Sequence, residues 1–207
     1  MAMVAMMLAP AHAGAQDDWQ LRKDKNGIRV YTRETDQSGF DEFRAETVLD
    51  FSPQVLLNVL KDVEQYDQWV SEVKTAEVLE KSGDTSMVYY SVIEVPFPFQ
   101  DRDVVYHNTF SWDSSRTRLT ITTKGLPEYL DKKENLVRMP VGKGRWIAET
   151  LEPGMTKVTL QMLIDPGGNL PAWLVNSFIA DSPYRTMKNL KTFGKKEEYQ
   201  TGKLREK

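Results

Sequence analysis

The longest helical pattern of apolar positions lies near the C-terminus, over residues 170–193. Apolar residues recur there at spacings of three and four, which gives one apolar stripe along a helix. They are Leu170, Trp173, Leu174, Phe178, Ile179, Met187 and Leu190. Asn169 and Pro171 predict the start of this helix, and Gly194 predicts its end. We expect a kink at Pro183, because a backbone carbonyl in the preceding turn loses its donor.

Most of the chain before this helix alternates between apolar and polar residues, as strands do. The alternation predicts nine strands, at residues 19–23, 28–33, 40–49, 73–79, 85–95, 103–112, 118–123, 136–151 and 156–164. Asn26 and Gly27 predict a tight hairpin between the first two strands. Gly142 and Gly144 predict a bulge in the eighth strand.

Two short helices are predicted between the third and fourth strands, at residues 53–61 and 64–69. Ser52 and Pro53 are typical of the start of the first one. Strands joined by short turns pair antiparallel, and the apolar stripe of the long helix needs a surface to pack on. The predicted fold class is therefore α+β, with about nine strands in one curved antiparallel sheet wrapped around the C-terminal helix. The pattern leaves open whether a solid core or a cavity lies between them.

The amino-acid composition excludes several kinds of functional site but does not identify the function. The 207 residues suit one domain, and the net charge of −3 argues against nucleic-acid binding. The chain has no cysteine and only two histidines, which excludes disulfides, thiolate metal sites and a histidine-rich metal site. We therefore expect no metal, no cofactor and no nucleic-acid partner, and we expect a monomer. Residues 194–207 are charged and lack periodicity, so they predict a flexible tail.

The N-terminus suggests a targeting segment. Residues 3–9 are apolar, and Ala11-His12-Ala13 before Gly14 resembles a signal-peptidase site, although no Lys or Arg precedes it. We predict that residues 1–13 are a signal peptide with a truncated start, that residues 14–193 form the domain, and that the protein is periplasmic or secreted. The alternative is a leader with no targeting role.

N-terminal sequencing of the protein from its native host tests this prediction. We expect the mature chain to begin near Gly14, because cleavage follows small residues of this pattern. An intact Met1 in a cytosolic fraction would show that the leader is not a signal peptide.

One segment points to a family. Residues 95–106 read VPFPFQDRDVVY, between two predicted strands. This segment resembles the Pro-aromatic-Pro and Arg-Asp signature of START domains, the StAR-related lipid-transfer family. Further segments agree in the expected order, at residues 27–31 (GIRVY), 69–70 (WV), 144–146 (GRW), 152–156 (EPGMT) and 165–171 (DPGGNLP). The resemblance covers nearly all of residues 19–193, and the chain resembles a bacterial member of the family. It implies a helix-grip fold, with a tunnel for one lipid or sterol between the sheet and the last helix.

Alternation along two predicted strands supplies inward-facing candidates for that tunnel. With the resemblance, it predicts a lining of Tyr89, Ser91, Ile93, Arg102, Tyr106, Asn108, Phe110, Trp146, Trp173, Leu174 and Phe178. Arg102 is a candidate contact for a ligand headgroup. The alternative for the polar candidates is that they bond to the protein itself in a dry core.

The proline-rich loop at residues 96–100 is the second candidate region. Phe97 and Phe99 lie between its prolines, and they predict either a gate with membrane contact or packing on a neighbouring helix. Asp101 and Asp103 share the strand face opposite to Arg102. We interpret both carboxylates as structural groups that fix the loop, and not as an acid–base pair.

Together with what the resemblance implies, these observations predict a non-catalytic protein that binds or transfers a lipid, sterol or other hydrophobic ligand held in the tunnel, with transient membrane contact as a candidate step. Two alternatives remain at the level of sequence. One is a cyclase-like enzyme of the helix-grip superfamily, against which the scarcity of histidine and absence of cysteine argue. The other is a hydrophobic-ligand sensor without transfer activity.

Overall fold

The computed structural model describes residues 18–36 and 39–203, apart from the side chains at positions 172, 173, 176 and 177. The strands of this part are β1 (Gln20–Lys25), β2 (Ile28–Arg33), β3 (Glu42–Leu49), β4 (Val73–Ser82), β5 (Ser86–Ile93), β6 (Arg102–Trp112), β7 (Arg118–Gly125), β8 (Val137–Arg138), β9 (Val141–Glu152) and β10 (Met155–Asp165). The helices are α1 (Pro53–Lys61), a 3-10 helix (Val63–Gln68), α2 (Ala172–Phe193) and α3 (Glu197–Thr201). None of these described helices has the length and apolar character needed to cross a bilayer.

The strands form one sheet in the order β1-β2-β3-β10-β9-β7-β6-β5-β4, and every pair along this path is antiparallel. The two-residue strand β8 lies off the path and pairs with β6 in parallel. Long neighbouring strands twist relative to one another, so a sheet of this width curves. The predicted α+β fold, with an antiparallel sheet and a long C-terminal helix, is confirmed.

The region predicted as one bulged strand at residues 136–151 differs from the expectation. The structure has two strands there, and β9 pairs with β10 in regular register through both glycines. The predicted bulge is therefore wrong. Gly142 serves side-chain packing instead, because a Cβ at this position would lie 2.6 Å from Cε1 of Tyr106. Gly142 thus leaves room on the inner face of β9 for the tyrosine ring.

The hairpin between β1 and β2 forms as predicted. Asn26 and Gly27 have φ values of 55° and 68°, the left-handed conformation that tight antiparallel hairpins require. The hairpin also holds the last helix, because Asn26 Nδ2 donates to the Tyr184 hydroxyl over 2.8 Å. Lys191 Nζ donates to the Asn26 carbonyl over 3.3 Å.

Helix α2 begins slightly later than the pattern predicted. Its N-cap is Pro171, with no side-chain capping bond, so the predicted cap at Asn169 is wrong. The helix ends at Gly194 as expected, and it is continuous through Pro183. Met187 and Leu190 are fully buried in its second half. Apolar burial along this half fixes α2 on the sheet.

The chain after α2 also departs from the sequence prediction of a flexible tail. The structure has helix α3 there, and Tyr199 is fully buried. Its hydroxyl donates to Asp62 Oδ2 over 2.8 Å, and its carbonyl accepts a bond from Asn58 Nδ2 over 2.8 Å. One aromatic residue in a charged segment thus anchors it beside α1. The predicted leader, residues 1–13, lies outside the described residues.

Candidate functional site

A cavity of about 240 Å³ lies between the sheet and helix α2. We call it the central cavity. Its sheet wall is built from inward-facing residues of β5, β6, β9 and β10, which alternate with outward-facing ones. These are Tyr89, Ser91, Ile93, Arg102, Tyr106, Asn108, Trp146, Leu160, Met162 and Ile164. The wall is mainly apolar, with few polar groups, which is typical of sites for hydrophobic ligands.

Helix α2 forms the opposite wall through one regular stripe. The stripe consists of Val175, Phe178, Ile179, Ser182, Pro183 and Thr186, at spacings of three and four residues. Leu174 was predicted to line the tunnel, but it lies outside the cavity wall while being buried elsewhere. It precedes Val175 by one position and is therefore rotated by about 100° from the start of the stripe.

The structure places eight of the predicted tunnel residues on the cavity wall, and their role in binding stays a prediction. They are Tyr89, Ser91, Ile93, Arg102, Tyr106, Asn108, Trp146 and Phe178. Phe110 lies outside the cavity wall and is buried elsewhere, with Lys61 at the end of α1 5.4 Å from its ring centroid. The side chain of Trp173 lies outside the described part of the structure.

An aromatic cluster forms one side of the cavity. Tyr66 packs edge-to-face on Trp69 and on Tyr89, with ring centroids 5.4 and 5.6 Å apart, and Tyr89 packs on Tyr106 at 5.6 Å. Trp146 lies 6.3 Å from Trp69. Burial raises the pKa of Tyr66, Tyr89 and Tyr106, so these phenols stay neutral. The cluster therefore gives the cavity an uncharged aromatic surface.

The polar groups on the sheet wall are mostly bonded to the protein. The Ser91 hydroxyl donates to the Thr75 carbonyl over 3.2 Å, and Thr123 donates to Asn108 Oδ1 over 2.8 Å. These two polar groups of the wall are thus satisfied by the protein itself. Trp69 differs, because its buried indole Nε1 has no hydrogen-bond partner among the described residues. An unpaired buried donor costs about 1–3 kcal/mol, which an acceptor on a ligand would offset.

Arg102 brings a positive charge to the wall. Its side chain is on the inner face of β6, and the residue is 4% exposed. The guanidinium donates to the carbonyls of Gln100, Pro166 and Gly167, the last two over 3.4 Å. No carboxylate in the described part of the chain lies within ion-pair distance of it. Burial lowers the pKa of Arg102, although the group remains charged at neutral pH.

Of the two neighbouring carboxylates, Asp101 fixes the loop at residues 96–100 as the sequence predicted, whereas Asp103 has its partner outside this loop. Asp101 accepts a bond from the Val95 backbone N–H over 3.0 Å and pairs with Lys74 over 2.9 Å, which joins the two ends of the loop at residues 96–100. Asp103 lies on the outer face, fully buried, and pairs with Arg138 over 2.9 Å. Neither carboxylate reaches the cavity wall.

The two phenylalanines of the loop have different environments. Phe97 is 96% exposed, whereas Phe99 is half-buried. Neither lies on the wall, but the loop begins after Val95 and ends just before Arg102, which both do. An exposed apolar side chain therefore stands beside the rim of the cavity. Its function as a gate or a membrane contact stays a prediction.

Sequence reasoning missed part of the wall. The residues of β10 could have been found, since Leu160, Met162 and Ile164 alternate along a predicted strand. Tyr66 and Trp69 belong to the 3-10 helix and its cap, where no periodicity exists to assign a face. Their inward position depends on tertiary packing.

Comparison with known proteins agrees with this geometry. Residues 4–198 match the START domain. The chain is 31% identical to the phosphatidylcholine transfer protein of Mus musculus, with 83% of this chain and 80% of that protein covered. An uncharacterised protein of Pseudomonas aeruginosa is 29% identical, covering 94% and 95% of the two chains. The structure of a STAR-related lipid transfer protein from Xanthomonas axonopodis superposes with a TM-score of 0.80 and 33% identity, covering 87% of this chain and all of that one.

Proposed function

The chain belongs to the START domain family, and from this membership we propose that it binds one lipid or similar hydrophobic ligand and transfers it between membranes. The observation that carries the proposal is the central cavity itself, an apolar space of about 240 Å³ between sheet and helix. Each methylene removed from water there contributes about 0.8 kcal/mol to binding. The relatives named for lipid transfer support the same function.

We propose that the ligand passes between the loop at residues 96–100 and the first half of helix α2. Polar contacts hold the helix from Asp181 onward, and we refer to residues 172–180 as its first half and to residues 181–193 as its second half. Lys23 pairs with Asp181, Arg185 bonds to Ser71 over 2.8 Å, and the Thr186 hydroxyl accepts a bond from the Ser71 backbone N–H over 3.0 Å.

The described side chains at positions 174, 175 and 178–180 are apolar and add no such bonds. Pro183 lies close to the boundary between the two halves and removes one helical hydrogen bond. The first half can therefore move while the second stays packed.

The exposed Phe97 supplies the membrane contact in this proposal. Phe97 is almost fully exposed to water in the free protein, which is unfavourable for an apolar side chain. Insertion into a bilayer interface would bury this side chain. We expect Phe97→Ser with Phe99→Ser to slow lipid exchange between vesicles by about tenfold, since burial of one aromatic side chain is worth about 1.5–3 kcal/mol. The transfer rate is measured with a fluorescent lipid, and the melting temperature should stay within a few degrees, because Phe97 is exposed and Phe99 is only half-buried.

Leu151→Ser is the matched control for this loop. Leu151 is an apolar residue that is 55% exposed, near the turn between β9 and β10. Its replacement removes exposed apolar surface away from the proposed exit and should leave transfer unchanged. The single Phe97→Ser variant separates membrane contact from any packing of Phe99. Equal transfer rates for the wild type and the double variant would rule out this loop as the contact.

We further propose that the protein leaves its ligand chemically unchanged. The test is mass spectrometry of the ligand extracted from the native protein and of a defined lipid after prolonged incubation with it. A carrier returns the lipid with its original mass. A product of different mass that accumulates with time would instead favour the enzyme alternative.

A further inference from the structure

Arg102 is a buried cation on the inner face of the sheet with no ion-pair partner among the described residues, and the adjacent Asp101 carboxylate acts on it only beyond ion-pair distance. Three backbone carbonyls accept its hydrogen bonds, two of them over 3.4 Å, and these partners solvate the guanidinium without cancelling its charge. A buried charge without a counter-ion is unfavourable unless a partner is supplied. The guanidinium has five N–H donors, so it has capacity for a further planar or tetrahedral anion.

The carboxylates of the cavity wall do not neutralise Arg102. Glu72 pairs with Arg185, Glu94 is exposed at the rim, and Asp41 lies before β3, four strands away from β6 in the sheet. Arg102 is the only cation among the described residues that line the cavity. A negative group on the ligand is therefore the partner that this wall lacks.

The size of the cavity restricts the rest of the ligand. Its volume of about 240 Å³ is below the roughly 300–1,000 Å³ of pockets that hold drug-sized molecules. A phospholipid with two acyl chains is larger than such molecules and therefore too large for this cavity. An amphiphile with a single hydrocarbon chain is slimmer and suits the cavity better. The aromatic cluster of Tyr66, Trp69, Tyr89 and Tyr106 provides the neutral surface along which one chain would pack.

We propose that the preferred ligand is an amphiphile with one hydrocarbon chain and an anionic group, a carboxylate or a phosphate ester, that binds the Arg102 guanidinium at the rim of the cavity. This inference rests on the proposed function, because it names the class of lipid that the same cavity selects. Hydrogen bonds to charged groups outweigh neutral ones, so an anion should bind at least about tenfold more tightly than its neutral analogue.

Competition for a bound fluorescent fatty alcohol measures this preference in the wild-type protein. The competitors are hexadecanoic acid, palmitoyl lysophosphatidic acid, dipalmitoyl phosphatidic acid and the neutral hexadecan-1-ol. We expect both single-chain anions to compete at least tenfold better than hexadecan-1-ol, and better than the two-chain acid. The ratio between the carboxylate and the phosphate ester identifies which anion the site takes.

Variants at Arg102 assign the preference to this residue. Arg102→Gln should lower the ratio of anion affinity to hexadecan-1-ol affinity from at least tenfold to about one, while Arg102→Lys should retain a reduced ratio. Arg145→Gln on β9 is the control, since it removes an equal charge from an exposed side chain. Circular dichroism shows whether each variant is folded, and the wild-type ratio tests the proposal even where a variant is not.

The outcomes of these experiments distinguish a failure of this inference from a failure of the proposed lipid binding. If the wild type binds hexadecan-1-ol as tightly as the anions, or prefers the two-chain acid, the inference is overturned and lipid binding stands. If Arg102→Gln is folded and keeps the full preference for the anions, the assignment to Arg102 is overturned. If no competitor displaces the probe and the probe itself does not bind, the proposed function fails as well.

Discussion

Replacing Arg138 with methionine should lower the free energy of unfolding by about 3–5 kcal/mol, because it leaves the buried Asp103 carboxylate without its counter-ion. Asp103 is fully buried, and the Arg138 side chain is 3% exposed. Arg138 also donates to the carbonyls of Pro127 and Leu130 over 2.6 and 2.9 Å. These bonds hold the loop before β8 over the outer face of the sheet. Urea denaturation measures the loss, which corresponds to a fall in melting temperature on the order of 10 °C.

Two further variants separate the buried charge from other causes. Arg118→Met breaks an ion pair with Glu149 of 2.7 Å in which both partners are partly exposed, and it should cost no more than about 1 kcal/mol. Combining Arg138→Met with Asp103→Leu should recover part of the lost stability, since no charge then remains unpaired. A double variant as unstable as the single one would mean that the hydrogen bonds of Arg138 to the loop, and not its charge, dominate.

Replacing Ser91 with phenylalanine should abolish ligand binding, with a loss of at least about 100-fold in affinity, because the new ring occupies the central cavity. Ser91 is on the cavity wall and is 2% exposed. The variant loses the hydroxyl bond to Thr75, worth about 1 kcal/mol, and gains apolar burial of about 1.5–3 kcal/mol. The melting temperature should therefore stay equal or rise. Displacement of a fluorescent lipid measures the affinity.

Ser111→Phe is the matched control for the filled cavity. The hydroxyl of Ser111 also donates to a carbonyl on the neighbouring strand, that of Thr120 over 3.3 Å. Ser111 is exposed, so the same substitution adds a ring outside the cavity. Ligand binding should be unchanged in this variant. Full binding by a folded Ser91→Phe protein would mean that the ligand lies elsewhere.

The outline of this fold follows from local sequence patterns. The alternation in Leu160, Met162 and Ile164 and the turn at Asn26 and Gly27 each act over a few residues, and the structure agrees with them. The sequence also predicts the apolar stripe on α2, but it does not predict which residues of the stripe face the cavity. Leu174 and Val175 are adjacent apolar residues, and only packing against the sheet decides which one faces the cavity.

The features that the sequence did not predict correctly depend on contacts between segments that are distant in the chain. Gly142 was interpreted as a bulge, although its role is to make room for Tyr106 on another strand. Tyr199 is one aromatic residue in a charged segment. Its hydrogen-bond partners, Asn58 on α1 and Asp62 just after α1, lie about 140 residues earlier in the chain. The pairing of Asp103 with Arg138 spans 35 residues and could not be assigned from spacing. Such contacts leave no periodic signal in the sequence.

Native mass spectrometry after incubation with lipid vesicles tests the central claim most directly, since it counts lipid molecules held by each protein chain. The cavity between sheet and helix predicts one lipid per chain for the wild type and for Ser111→Phe, and none for folded Ser91→Phe. A wild-type protein that carries no lipid, or an equal lipid load in Ser91→Phe, would contradict the account.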